Sequence, residues 1–90
     1  MPPTDEQLNA ADAEAARLAA HLKGRPAATA DGVEVGTFNG GWEVMDDATI
    51  RLEIDVPPHF SFVYLPPDGG EPYFPGKAGG PPVPARRPSA

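Results

Sequence analysis

Asp46 and Asp47 stand side by side, His21 and His59 lie far apart, and the 90-residue chain contains no cysteine. Paired carboxylates perform general acid–base chemistry only when both converge on one substrate and their environments separate their proton affinities. Neighbouring aspartates in a polar stretch meet neither condition and read as a turn. Two histidines without supporting ligands make no metal site; His21 reads as a solvated helix residue and His59 as a strand end. The segment DDATIRLEIDVP lacks the regularly spaced oxygen ligands of a calcium loop. No serine or threonine has a histidine–acid partner. A phosphate cradle needs glycines that run into a helix N-terminus, whereas Asn39-Gly40-Gly41 runs into Trp42-Glu43-Val44-Met45, a strand pattern. The residues therefore point to a chain that is not an enzyme and holds no cofactor or metal.

Recognition chemistry is better represented. Pro81-Pro82-Val83-Pro84-Ala85-Arg86 matches P-x-x-P-x-R. In polyproline II, Pro81 and Pro84 would share one edge, able to enter an aromatic groove while Arg86 meets an acidic pocket. Tyr73 and Phe74 form an isolated aromatic pair within EPYFPG. Arg86-Arg87-Pro88-Ser89 has the form of a basic phosphorylation site. A further candidate is a sheet face carrying Glu34, Glu43, Glu53 and Asp55, with Arg51 among them and Phe38 and Met45 on the same face. Such a face suits a basic protein surface.

These residues have to be positioned by a small set of elements. Thr4 and Gln7 fit a capping box, and Asp5 and Glu6 favour the positive end of a helix dipole. Gly24 and Pro26 provide the stop. Between them Leu8, Ala11, Ala15, Leu18 and Leu22 form one apolar stripe, so a helix is expected over 5–23, packed on a sheet. A coiled-coil seam is the alternative, but the segment is short for one and alanine fills such seams poorly. Residues 25–32 read as a linker.

Strands are expected over 33–38, 42–45, 49–56 and 60–65. Asn39-Gly40 is the commonest dipeptide of a two-residue hairpin turn. Used that way, it puts Val33, Val35, Trp42 and Val44 on one face and Glu34, Gly36, Phe38, Glu43 and Met45 on the other. A three-residue loop, Asp46-Asp47-Ala48, then sets Val44 opposite Ile50 and Trp42 opposite Leu52. The segment TIRLEIDV alternates cleanly. After Pro57-Pro58, a fourth strand carries Phe60, Phe62 and Tyr64 on one side and Ser61, Val63 and Leu65 on the other. Residues 66–90 hold eight prolines and five glycines, the composition of an extended tail. The expectation is an α+β domain over 1–65, one N-terminal helix on a three- to four-stranded antiparallel meander, followed by a Pro/Gly-rich tail over 66–90 whose removal leaves the fold intact.

Charge narrows the partners. Thirteen acids and seven bases leave a net charge of −6, and residues 1–65 carry eleven of the acids and four of the bases. An acidic body repels phosphates, so direct nucleic-acid binding is not expected. No apolar run approaches the ~20 residues that span a bilayer, and the polar N-terminus is not a secretory signal. The sequence reads as a cytoplasmic or virion-borne accessory protein with no membrane contact, and it specifies no oligomeric state. Its expected partner is another protein with a basic surface. A second reading is an acidic inhibitor that imitates nucleic acid towards a basic protein.

Overall fold

Thr4 caps the first element from both directions. Its hydroxyl accepts from the Gln7 amide at 3.1 Å, and its own amide donates to Gln7 Oε1 at 2.8 Å. The helix that follows, α1, spans Asp5–Leu22 and buries Ala15, Leu18, Ala19 and Leu22. Of the expected stripe, Ala15, Leu18 and Leu22 are buried, Leu8 and Ala11 are half-buried, and Ala19 joins them. Gly24 takes a φ of +87°, and its amide donates to the Phe38 carbonyl at 2.8 Å. The chain passes from helix to sheet within three residues. The computed structural model describes residues 2–76 and 80–88.

Six strands follow: β1 Pro26–Ala28, β2 Glu34–Val44, β3 Ile50–Val56, β4 His59–Leu65, β5 Tyr73–Phe74 and β6 Val83–Pro84. They form one antiparallel sheet in sequence order. The fold is α+β, with the helix preceding all strands.

Three sequence expectations change. The segment read as a linker contains β1, whose Pro26 and Ala27 oppose Thr37 and Gly36. Ala27 and Ala28 are buried; alanine carries little strand signal, so the pairing was hidden.

The second change is larger. Asn39-Gly40 does not reverse the chain, and the two short strands expected around it are one continuous β2. Phe38 opposes Ile54 and Trp42 opposes Leu52, leaving three β2 residues against Glu53 alone. Asn39-Gly40-Gly41 is a bulge with two extra residues. Gly40 supplies the positive φ of 91°, and the Asn39 side chain closes the bulge by accepting from the Gly41 amide at 2.9 Å. Asn39 does not share the positive φ that the hairpin turn would require of it, and the segment kinks a strand instead of reversing it. The shift carries Phe38 to the inner face, where it is buried opposite Ile54. Val33, expected in the core, precedes β2 and is 59% exposed.

Beyond the bulge the expected register holds, with Val44 against Ile50 and Trp42 against Leu52. The connecting loop places Ala48 at φ 69°, the left-handed position that glycine or asparagine usually occupies. A cis peptide joins Pro57 to Pro58 between β3 and β4, which pair from Ile50–Leu65 to Val56–His59.

The third change concerns the segment expected to be a tail: its described residues, 66–76 and 80–88, return to the sheet. Tyr73 pairs with Tyr64 on one side and Pro84 on the other. Ala85 then bridges to Thr29, the Arg86 amide donates to the Ala28 carbonyl, and the Ala30 amide donates to the Pro84 carbonyl. The sheet curls until its last strand meets the chain leaving its first. Prolines silence only their own amides; those of Ala85 and Arg86 remain free to bond. Phe74 and Ala85 join the core, so removal of this segment would open the fold rather than leave it intact.

Leu52, Ile54 and Val63 are the largest fully buried side chains. α1 packs over them, mainly against β2 and β3. The opposite face of β2–β5 is left to solvent. No helix among the described residues is long and apolar enough to cross a membrane.

Candidate interaction surface

Because Ile50, Leu52 and Ile54 point inward, strand alternation sends Arg51, Glu53 and Asp55 outward. The register extends each of them into a row. Glu43, Arg51, Tyr64 and Tyr73 are successive neighbours across four strands. Glu53 lies beside Phe62, and Asp55 beside Phe60. The outer face thus carries a line of aromatic rings next to a line of charges.

The rings contact one another along β4. Phe60 and Phe62 meet edge to face with centroids 5.9 Å apart, and Phe62 and Tyr64 at 6.4 Å. Tyr64 stacks on Tyr73 at 5.1 Å with ring planes 7° apart. Phe60 ends the line 63% exposed, a large apolar surface for an isolated strand residue.

Arg51 joins the two lines. Its guanidinium donates to Glu43 at 2.8 Å and lies over the Phe62 ring, 4.3 Å from the centroid. This is cation–π geometry. The hydrogen bond to Glu43 is the main cause that holds the Arg51 pKa above its usual value. Glu43 is therefore neutralised within the chain.

Glu53 and Asp55 are not. Both accept hydrogen bonds from the Asn39 carboxamide, at 2.8 and 3.0 Å. Among the described residues neither has a cation within ion-pair distance. The bulge thus holds two uncompensated carboxylates beside Phe60 and Phe62. It also explains Gly41: a Cβ there would lie 3.1 Å from both Asn39 Oδ1 and Glu53 Cβ.

The candidates named from sequence are divided by the fold. Glu43, Glu53, Asp55 and Tyr73 come together on this face. Met45 is 38% exposed at its margin, just before the β2–β3 loop. Glu34 is exposed but opposes Ala28 in β1, away from the β3 row. Phe38 and Phe74 are core residues, each 5% exposed; the bulge turns the first inward, and pairing in β5 does the same for the second. Pro81, Pro84 and Arg86 are exposed side chains. Their segment is not a free polyproline ligand, however, because the Pro84 carbonyl and the Arg86 amide bond to the chain around β1. Ser89 lies outside the described residues.

Asn39 and Arg51 organise the surface; sequence reasoning placed Arg51 among the acids of this face without its contacts to Glu43 and Phe62. The signal for Asn39 was present but was read as a turn. Asp47 proves to be a turn residue as expected: its carboxylate accepts from the Thr49 amide at 3.0 Å, which holds its pKa below the usual value. No group of three or more metal-ligating side chains converges among the described residues. A scan against protein-family models, a search of curated proteins and a search of solved structures each find no match to this chain.

Proposed function

We propose that the chain is a non-enzymatic interaction protein whose outer sheet face binds a basic segment of another protein. The observation that supports this reading is the side-by-side line of Phe60, Phe62, Tyr64 and Tyr73 with Glu53 and Asp55. An incoming arginine would stack its planar guanidinium on a ring while its N–H groups reach a carboxylate. Arg51 makes this pair of contacts within the chain, to Phe62 and Glu43.

Arginine-rich and lysine-rich peptides of equal charge, titrated by calorimetry, test the proposal. Arginine should bind more tightly, and both Phe60→Ala and Glu53→Lys should weaken binding. Nucleic-acid mimicry would need the carboxylates alone, so binding weakened by Glu53→Lys but indifferent to Phe60→Ala would favour that second reading. Binding indifferent to both changes refutes the proposed surface.

A further inference from the structure

Where the sheet closes on itself, a pocket of about 210 Å³ opens beside the C-terminal end of α1. Its floor is apolar and belongs to the core: Leu22, Ala27, Phe38 and Val63. Its rim carries Arg25, Arg86 and Arg87, three of the chain's seven lysines and arginines. Among the described residues no carboxylate lines it. On a protein of net charge −6, this is a local reversal of sign.

The fold creates the cluster. Arg25 leads into β1, and Arg86 follows β6; the bond from the Arg86 amide to the Ala28 carbonyl brings the two segments together. Among the described residues, none of the three arginines is within ion-pair distance of a carboxylate. Arg87 donates to the carbonyls of Gly69 and Gly70 at 3.3 and 2.9 Å, which turns its guanidinium toward the neighbouring groove that Gly69 lines and leaves Arg25 and Arg86 as the charges of the pocket.

A larger groove beside the N-terminal half of α1, about 900 Å³, is lined by Glu14, Arg17, Asp47, Asp68 and Arg87. Its mixed signs select no ligand. The arginine-rimmed pocket has one sign and an apolar floor. We infer that it binds a small carboxylate with an aliphatic body, the head on Arg25 and Arg86 and the chain on Pro26, Pro88 and the edge of Phe38. Guanidinium pairs with carboxylate through parallel hydrogen bonds, and a mostly apolar pocket with a few converging polar groups is the general form of a small-ligand site. This site is separate from the outer face and does not depend on the function proposed for it.

The test is a titration of the intact chain with hexanoate and butanoate at constant ionic strength, followed through backbone amide shifts. Hexanoate should bind saturably with a dissociation constant on the order of 1 mM. The saturable shifts should centre on Ala27, Ala28 and Arg86. Butanoate should bind roughly fourfold more weakly per methylene removed, the value of burying one methylene. Arg25→Gln and Arg86→Gln alter exposed side chains and should each weaken hexanoate roughly tenfold, the loss of a charged hydrogen bond. N-acetylleucine separates the sources: tighter binding than hexanoate assigns the site to a peptide C-terminus, weaker binding to a free short-chain acid. Shifts that do not saturate, that inorganic phosphate reproduces, or that survive both glutamine variants overturn the inference.

Discussion

Replacing Asn39 with aspartate would turn the brace of the β2 bulge against itself. The asparagine carboxamide donates to Glu53 and Asp55 while its oxygen accepts from the Gly41 amide. Aspartate preserves the last bond but loses both donors and sets a third carboxylate about 3 Å from the other two. Each lost bond to a charged, partly exposed group costs about 1 kcal/mol. Each new like-charge approach adds about 1 kcal/mol at the dielectric of water. The expected loss is about 4 kcal/mol at neutral pH and low salt, against a total stability of roughly 5–15 kcal/mol for a small domain. Asn39→Ala separates the contributions, since it removes all three bonds without adding charge, at about 3 kcal/mol.

Urea unfolding followed by the fluorescence of Trp42, the single tryptophan, measures both variants. Crowding among carboxylates raises the folded-state pKa of the introduced group above its unfolded value. The added penalty in Asn39→Asp therefore grows as pH rises through the carboxylate range and fades as pH falls below about 4. High salt should narrow the gap between the two variants at pH 7. If Asn39→Asp matches the wild type at pH 7, the carboxamide does not brace the bulge, and the account of β2 fails.

Phe38→Ala should cost about 3–5 kcal/mol through loss of a buried aromatic ring, while Phe60→Ala on the exposed face should change stability by less than about 1 kcal/mol; urea midpoints distinguish them, and equal effects would contradict their opposite placement. A chain ending at Leu65 loses β5, β6 and the core residues Phe74 and Ala85. It should show no cooperative unfolding transition by circular dichroism. Asp47 has a folded-state pKa held below its ordinary value by the Thr49 amide, so its contribution is fully present above the unfolded pKa and disappears as pH falls through the lower folded value. Asp47→Ala should therefore remove part of the acid limb in a plot of urea midpoint against pH.

What sequence alone determined is local. The Thr4–Gln7 box, the α1 stripe, the alternation of β3 and the β2–β3 loop all follow from groups a few residues apart. Even the left-handed Ala48 was accommodated, because keeping Val44 opposite Ile50 required that loop length. Tertiary structure decided the rest. Asn39-Gly40 suits a hairpin or a bulge, and both use a positive φ at Gly40, but the hairpin would need one at Asn39 as well. The bulge is braced by Glu53 and Asp55, fourteen and sixteen residues away, and it turns Phe38 inward. The segment after Leu65 has the composition of a tail, yet Tyr73 finds Tyr64, and Arg86 finds the Ala28 carbonyl across the length of the chain. Composition sets how many amides a segment can donate; which acceptors they meet depends on how the sheet curls. Both the aromatic–acidic face and the arginine-rimmed pocket arise from those distant pairings.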